Sequence, residues 1–174
     1  MLKKVLLPVL AIMLAVATAD ASLFKNKFEK EVATEAVAVK LARETVRGGY
    51  RLVTAAELKS WIDQKKPLLI IDTMPYEASY KKGHVPGARQ FLFPVKEMKT
   101  WDSSRTAGKS MEDFKNLLGK DKNRTIVIYC GFVKCGRSHN GAARAVKLGY
   151  KNVYRFAGGI YAWKGAGFPV EKVK

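Results

Sequence analysis

The sequence predicts an α/β domain with a mostly parallel sheet. Short apolar runs, typical of buried strands, alternate with segments of helical periodicity along most of the chain. Two of these runs, Leu68–Asp72 and Thr125–Tyr129, are continuous, as in strands that are covered on both faces. The 174 residues suit one domain with its own core, and 48% hydrophobic with 27% charged residues is an ordinary soluble composition.

The amino terminus has the pattern of a secretory signal peptide. Lys3 and Lys4 precede the apolar run Val5–Ala17, and Ala19-Asp20-Ala21 fits a cleavage site. The run is short for a membrane span, although an uncleaved anchor is the alternative. We therefore expect residues 1–21 to be removed, the protein to be exported to a bacterial periplasm, and no stable membrane insertion afterwards.

Residues 22–49 are predicted to form a helical arm ahead of the domain. The span Glu31–Val46 places apolar residues at helical spacing, and Gly48-Gly49 ends it. The apolar residues are Val32, Ala36, Val39 and Leu41. We expect the arm to pack on the domain or on a partner, or to dock only loosely.

The domain itself is assigned to residues 50–174. Thr54 and Glu57 fit a capping box, which predicts a helix after a short first strand. Ser110 and Asp113 have the same spacing and predict a helix that ends at Leu118. The strands are expected at Tyr50–Val53, Leu68–Asp72, Gln90–Phe93, Thr125–Tyr129 and Val153–Phe156, and the further helices at Glu77–Lys82, Ser138–Leu148 and after Gly158-Gly159.

Cys130 directly follows the strand Thr125–Tyr129, and a loop with two glycines leads from it to the helix at Ser138. Backbone N–H groups converge at a helix N-terminus, so this position favours a thiolate and can hold an anion beside it. Asp72 also ends a strand, which predicts that both residues lie at the same edge of the sheet. The pattern indicates sulfur chemistry at Cys130.

Cys130 and Cys135 are the two cysteines of the chain. A disulfide between them would close a very small loop and remove little entropy from the unfolded chain. The pair is therefore better suited to redox chemistry or to resolving an oxidised intermediate. With His84 and His139 it would reach the ligand number of zinc, but the spacing is unlike that of a zinc finger, and no metal site is predicted.

The net charge is strongly positive, at +17 for the chain and +16 without Lys3, Lys4 and Asp20. The basic residues are scattered and no nucleic-acid motif accompanies them, so nucleic acid is not an expected partner. The charge either draws in small sulfur-containing anions or only keeps the surface soluble.

Three groups of residues resemble the signatures of the rhodanese-like sulfurtransferases. They are Ile70-Ile71-Asp72-Thr73 with Tyr80 and Gly83–Ala88, then Tyr129-Cys130 with Arg137-Ser138 and Gly141-Ala142-Ala143, and finally Gly158–Trp163 with Gly167–Val170. The resemblance extends from about Tyr50 to Val170. It implies a five-stranded parallel sheet flanked by helices.

The resemblance also implies that Cys130 is a nucleophile. It would take sulfane sulfur from thiosulfate, a polysulfide or a persulfide donor, and pass it from a persulfide to a thiol or to cyanide, without a cofactor. The substrate cradle would consist of Gly131, Phe132, Val133, Lys134, Cys135 and Gly136, completed by Arg137 and Ser138. Arg137 would hold a sulfonate-like donor or tie the loop to a carboxylate, and Asp72 and His84 would order neighbouring loops. A homodimer is left open.

The sequence departs from the family pattern at two positions. The family arginine follows the cysteine by five positions, where this chain has Cys135, and Arg137 comes two positions later. Met74 stands where the family often has an arginine after the pair that corresponds to Asp72-Thr73, which leaves the Asp72 carboxylate without its usual ion pair. Cys135 is expected to resolve a persulfide, to protect Cys130 from over-oxidation, or to be inert.

Three other functions compete with sulfur transfer. The cysteine pair could serve a thiol–disulfide redox protein, the domain could be a non-catalytic binding module, and a phosphatase is the least supported because no acid for the leaving group is placed.

Among nearby residues, Trp163 is expected in the core and His139 on the surface. Three aromatic residues could wall the pocket or merely pack: Trp101, Phe132 and Tyr161.

Overall fold

The computed structural model describes residues 6–173, and their side chains from residue 26 onward. The chain divides into two compact units, one that ends at Lys40 and one that starts at Leu41. Helix α1, Leu6–Gly48, supplies all of the first unit that is described. The side chains of the predicted cleavage site lie outside the described residues, so the signal peptide stays a prediction. Within the described part of the chain, no helix has the length and apolar character needed to span a bilayer.

The second unit is a five-stranded parallel sheet with helices on both faces. The strands are β1 Arg51–Leu52, β2 Leu68–Asp72, β3 Arg89–Gln90, β4 Thr125–Tyr129 and β5 Asn152–Phe156, in the spatial order β1-β5-β4-β2-β3. The α-helices after α1 are α2 Ala55–Asp63, α3 Met111–Leu118, α4 Arg137–Lys147 and α5 Gly159–Gly165, and 3₁₀ turns occupy Tyr80–Lys82 and Ser103–Thr106. This confirms the predicted fold class.

The starts of α2 and α3 follow directly from local sequence. Thr54 accepts a hydrogen bond from the Glu57 N–H, and the Glu57 carboxylate accepts one from the Thr54 N–H. Ser110 and Asp113 form the same reciprocal pair before α3. Both capping motifs are therefore confirmed, because each needs only four consecutive residues to form.

Alternate side chains of each central strand enter two different cores. Leu69, Ile71, Ile126 and Ile128 pack with the aromatic residues beneath α3 and α4. Their neighbours Ile70, Val127 and Tyr129 pack on the other face, with residues of α2 and α5. Trp163 of α5 belongs to this second core. It is fully buried and donates its indole N–H to Pro169 O at 2.6 Å, so its predicted place in the core is confirmed.

Two predicted elements differ from the structure. The strand expected at Gln90–Phe93 is shifted, because β3 ends at Gln90 while Phe91 and Phe93 turn into the aromatic core. The helix expected at Glu77–Lys82 is reduced to the 3₁₀ turn Tyr80–Lys82, which Gly83 ends as predicted.

The carboxyl ends of the strands form the edge that carries the site. Asp72 is the register partner of Tyr129, and Tyr129 is the partner of Phe156. Thr73 holds this edge together with two hydrogen bonds from its N–H and hydroxyl to Tyr129 O. Since Cys130 follows Tyr129, the prediction that Asp72 and Cys130 share one edge of the sheet is confirmed.

Candidate active site

Cys130 is enclosed at the carboxyl end of β4. Its side chain has no exposed surface, and its Sγ lies 3.1 Å from the Ser138 Oγ on the first turn of α4. The same sulfur lies 3.5 Å from Cys135 O and 3.9 Å from Phe132 O. Two carbonyl oxygens and a hydroxyl therefore surround the Cys130 sulfur, and the thiol can donate its hydrogen to any one of these three oxygens.

The loop differs from the predicted cradle of N–H groups around Cys130. A tight turn, in which the Cys135 N–H donates to Phe132 O at 3.0 Å, directs carbonyl groups inward. The guanidinium of Arg155 accounts for this orientation, because it donates to both Val133 O and Cys135 O from within the protein. A buried cation orients backbone carbonyl oxygens, not N–H groups, towards itself.

The inward N–H groups serve Cys135 instead. A hydrogen bond from the Cys130 thiol, helped by the N–H groups of Arg137 and Gly131, lowers the pKa of Cys135 to about 6 in spite of burial. Burial and the neighbouring Cys135 raise the pKa of Cys130 well above its ordinary value. Both directions favour the negative charge on Cys135 rather than on Cys130, and the thiolate expected at Cys130 stays a prediction.

Close backbone contacts fix the loop against α5. The Ile160 N–H donates to Cys130 O and the Tyr161 N–H donates to Gly131 O, both at 2.9 Å. Gly159 allows this approach, because a Cβ there would lie 2.1 Å from Cys130 O, and its φ of +59° also favours glycine. The third predicted motif thus acts on the cysteine loop through its backbone.

Arg137 and Gly136 attach the other side of the loop to the segment after β3. The Arg137 guanidinium donates to Phe93 O at 2.5 Å, which is a backbone carbonyl and not the carboxylate that was one of its two expected partners. A Cβ on Gly136 would lie 2.2 Å from Val95 O. Both contacts close the loop on the side away from α5.

The loop tip is the exposed part of the site. Phe132 and Lys134 are exposed, and Val133 is half-buried. The Phe132 ring lies 5.5 Å from that of Tyr161, so these two aromatic residues pack together beside the loop. Trp101 does not, because it packs in the core against Phe91, Phe93 and Phe114.

Asp72 and His84 lie beside the site rather than in contact with Cys130. Asp72 accepts the Met74 N–H at 2.8 Å, while its Oδ2 has no hydrogen-bond partner among the described residues. Burial raises the pKa of Asp72 to about 6. His84 stacks on Tyr80 and donates a hydrogen bond from Nδ1 to Tyr80 O at 2.9 Å, as expected of a residue that orders this turn.

Sequence reasoning missed Arg155 and misplaced His139. Arg155 is fully buried although it is charged, and it lies on the face of β5 that is turned towards α4. His139 is also buried, and its Nδ1 lies 2.8 Å from the Tyr50 hydroxyl, so the expected surface position is wrong. The sequence did carry a signal for Arg155, because a charged residue at an inward-facing position of the strand Asn152–Phe156 indicates a buried polar role.

The histidines do not join the cysteines. No group of three or more His, Cys, Asp and Glu side chains within the described residues is placed to hold a metal ion.

The sequence profile of the Rhodanese-like domain family matches residues 54–166. This chain belongs to that family. The matched span contains β4, the cysteine loop, α4, β5 and α5, but it begins after α1 and Tyr50.

A relative and two solved structures illustrate the similarity. The chain is 31% identical over 139 residues to the chloroplastic rhodanese-like domain-containing protein 14 of Arabidopsis thaliana, and the match covers 65% of this chain and 62% of that relative. A polysulfide-sulfur transferase homodimer from Wolinella succinogenes shares the fold, with a TM-score of 0.54, 14% identity, and coverage of 78% and 88%. A thiosulfate sulfurtransferase from Pseudomonas aeruginosa gives a TM-score of 0.52 and 15% identity, over 75% of this chain and 22% of that one.

Proposed function

We propose that this protein is a sulfurtransferase that carries sulfane sulfur as a persulfide on Cys130. The observation that carries the proposal is the position of the Cys130 thiol, which is buried at the carboxyl end of β4 and lies 3.1 Å from the Ser138 hydroxyl at the start of α4, with a second free cysteine, Cys135, in the same loop. The fold that the chain shares with a polysulfide-sulfur transferase and a thiosulfate sulfurtransferase supports the same class of reaction.

The first step is transfer of a proton between the two cysteines. The backbone carbonyl oxygen of Cys135 lies 3.5 Å from the Cys130 sulfur, and the Cys135 side chain in the same loop is the group that we assign as the base. Loss of that proton turns Cys130 into the nucleophile, with the Ser138 hydroxyl 3.1 Å from its sulfur. A hydrogen bond from Cys130 and the N–H groups of Arg137 and Gly131 lower the pKa of Cys135, which favours the thiolate that this role requires.

The second step is transfer of one sulfur atom. The Cys130 thiolate attacks the sulfane sulfur of thiosulfate, a new S–S bond forms, and sulfite leaves with the electron pair of the bond that breaks. With a polysulfide, the leaving group is the shortened polysulfide. An acceptor thiolate then attacks the outer sulfur of the Cys130 persulfide and departs as a persulfide, which restores the Cys130 thiolate.

The test is the intact mass of the purified protein after incubation with thiosulfate or with polysulfide. Wild type is compared with Cys130→Ser, Cys135→Ser and the double variant, which has no thiol and serves as the blank. We expect wild type to gain the mass of one sulfur atom, and Cys130→Ser to gain none. Cys135→Ser should gain the same sulfur more slowly near neutral pH, because it lacks the base.

A thiol–disulfide redox protein is the second candidate, and the presence of two free, buried cysteines in one loop, with the Cys130 sulfur 3.5 Å from Cys135 O, favours it specifically. It predicts that wild type loses two hydrogens with an oxidised dithiol and gains no sulfur. A sulfur gain that needs Cys135 but not Cys130 would refute the assignment of the nucleophile. No change with either donor or oxidant would favour a non-catalytic binding module.

A further inference from the structure

Arg155 connects the cysteine loop to the end of α1. It has no exposed surface and lies on β5, one strand away from Cys130. We propose that Arg155 is a positioning residue for Cys130, acting through Ser138, and that Glu44 on α1 sets the strength of its effect. The proposal rests on the proposed function only in taking Cys130 as the reacting thiol.

All N–H groups of the Arg155 guanidinium are engaged by the protein. A guanidinium has five N–H donors, and this one makes five hydrogen bonds of 2.6 to 3.3 Å. Its partners are Ser138 Oγ through Nε, Glu44 Oε2 and the Tyr50 hydroxyl through Nη1, and Val133 O and Cys135 O through Nη2. Because no donor remains for a substrate, Arg155 positions the site and does not bind the reacting molecule.

Ser138 passes the effect of Arg155 to the sulfur. The Arg155 Nε–H donates to Ser138 Oγ at 2.9 Å, so the serine hydroxyl keeps its own hydrogen for another acceptor. The Cys130 Sγ lies 3.1 Å from the same oxygen. The hydroxyl therefore donates to the sulfur when Cys130 is a thiolate, and the positive charge behind it strengthens that bond.

Glu44 offsets part of the Arg155 charge. Its carboxylate lies 2.6 Å from Arg155 Nη1, with 10% of the Glu44 side chain exposed and none of Arg155. Burial alone would lower the pKa of Arg155, but Tyr50 and Glu44 raise it, so the guanidinium stays charged. In a buried site a neighbouring carboxylate weakens the field of a cation at a third group, here the Cys130 sulfur.

Other charged and titratable groups also face the two cysteines. Cys135 and Arg137 act from the loop and from α4, and Asp72 acts on Cys135 from the end of β2. Behind Arg155, the Tyr50 hydroxyl contacts His139, whose Nε2 lies 3.5 Å from Arg47. These groups stay unchanged in the comparison below, except Cys135, which is replaced throughout.

The arrangement extends the active site beyond the family domain. The family profile begins at residue 54, whereas Glu44 and Tyr50 precede it and belong to the compact unit that starts at Leu41. The last turns of α1 therefore supply part of the environment of Cys130. A role for this segment cannot be inferred from the family resemblance.

The experiment measures alkylation of Cys130 by iodoacetamide as a function of pH. The full chain carries Cys135→Ser, so that Cys130 is its one thiol, and is compared with further Glu44→Gln, Arg155→Gln and Arg155→Lys variants. Glu35→Gln, an exposed position on the same helix, is the matched control. The midpoint of the profile reports thiolate stability, and the plateau at high pH reports access to the sulfur.

We expect opposite shifts from the two members of the ion pair. Arg155→Gln should raise the midpoint by about one pH unit or more, and Arg155→Lys should raise it by less. Glu44→Gln should lower the midpoint and leave the plateau unchanged. Shifts in the same direction, a Glu44→Gln midpoint no different from that of Glu35→Gln, or a lower midpoint with a raised plateau would overturn the proposal. If Arg155→Gln does not fold, the Glu44→Gln result decides. Alkylation needs no sulfur donor, so its outcome is independent of the sulfur-transfer test.

Discussion

Replacement of Asp72 by Asn tests whether a buried carboxyl group destabilises the folded state above its pKa. Its pKa is about 6 in the folded protein against 3.8 for the unperturbed group, a difference of about 2 units. At about 1.4 kcal/mol per unit, the folded state loses about 3 kcal/mol once the group is ionised.

The sign follows from the order of the two pKa values. Between pH 3.8 and about 6 the folded state holds a proton that the unfolded state has released, so stability falls as the pH rises through this window. Asp72→Asn cannot lose that proton. Its amide places an NH2 group, with two N–H donors, where Oδ2 has no hydrogen-bond partner among the described residues, and each unpaired N–H costs about 1–3 kcal/mol at every pH without altering the slope of stability against pH.

The assay is urea unfolding of both proteins at about pH 4.5 and about pH 7.5. Relative to wild type, Asp72→Asn should gain about 2 kcal/mol between these two conditions, because about 1 kcal/mol of the penalty is already present at the lower one. Asp63→Asn, an exposed carboxylate on α2, controls for loss of a surface charge. Parallel pH profiles for wild type and Asp72→Asn would refute the reasoning.

Two further changes test the loop and the buried histidine. Gly159→Ala should cost at least about 3 kcal/mol in chemical unfolding, since its Cβ would lie 2.1 Å from a loop carbonyl oxygen, whereas Gly87→Ala, with φ +74° and open space, should cost about 1 kcal/mol. Equal losses of unfolding free energy in the two variants would mean that the positive φ alone, and not the contact with the loop carbonyl, sets the cost of the substitution. Burial lowers the pKa of His139, so wild-type stability should fall as the pH drops below about 6.5, and His139→Gln should flatten that part of the thermal unfolding profile. An unchanged profile would contradict the buried neutral ring.

Elements that depend on neighbouring residues were predictable. The capping boxes before α2 and α3 and the runs of β2 and β4 were correctly placed because each is decided within a few consecutive residues. The shared edge of Asp72 and Cys130 was also predictable, since it follows from parallel pairing alone.

The orientation of the cysteine loop was not predictable in the same way. It depends on Arg155, whose partners lie 105 and 111 positions away at Tyr50 and Glu44. Without that guanidinium, the sequence suggested N–H groups around Cys130, as at an ordinary helix N-terminus. The burial of His139 has the same origin, because its partner Tyr50 is 89 positions distant.

The complete enclosure of Cys130 has a consequence for the time course of any reaction at its sulfur. A side chain without exposed surface can meet a donor only after the surrounding chain has moved, and we expect the loop between Phe132 and Gly136, whose tip is exposed, to open. At high donor concentration the rate should therefore reach a ceiling set by that opening, with the same value for thiosulfate and for polysulfide. The burial of Cys130 would then limit the rate equally for every donor, and it would shield the thiol between turnovers.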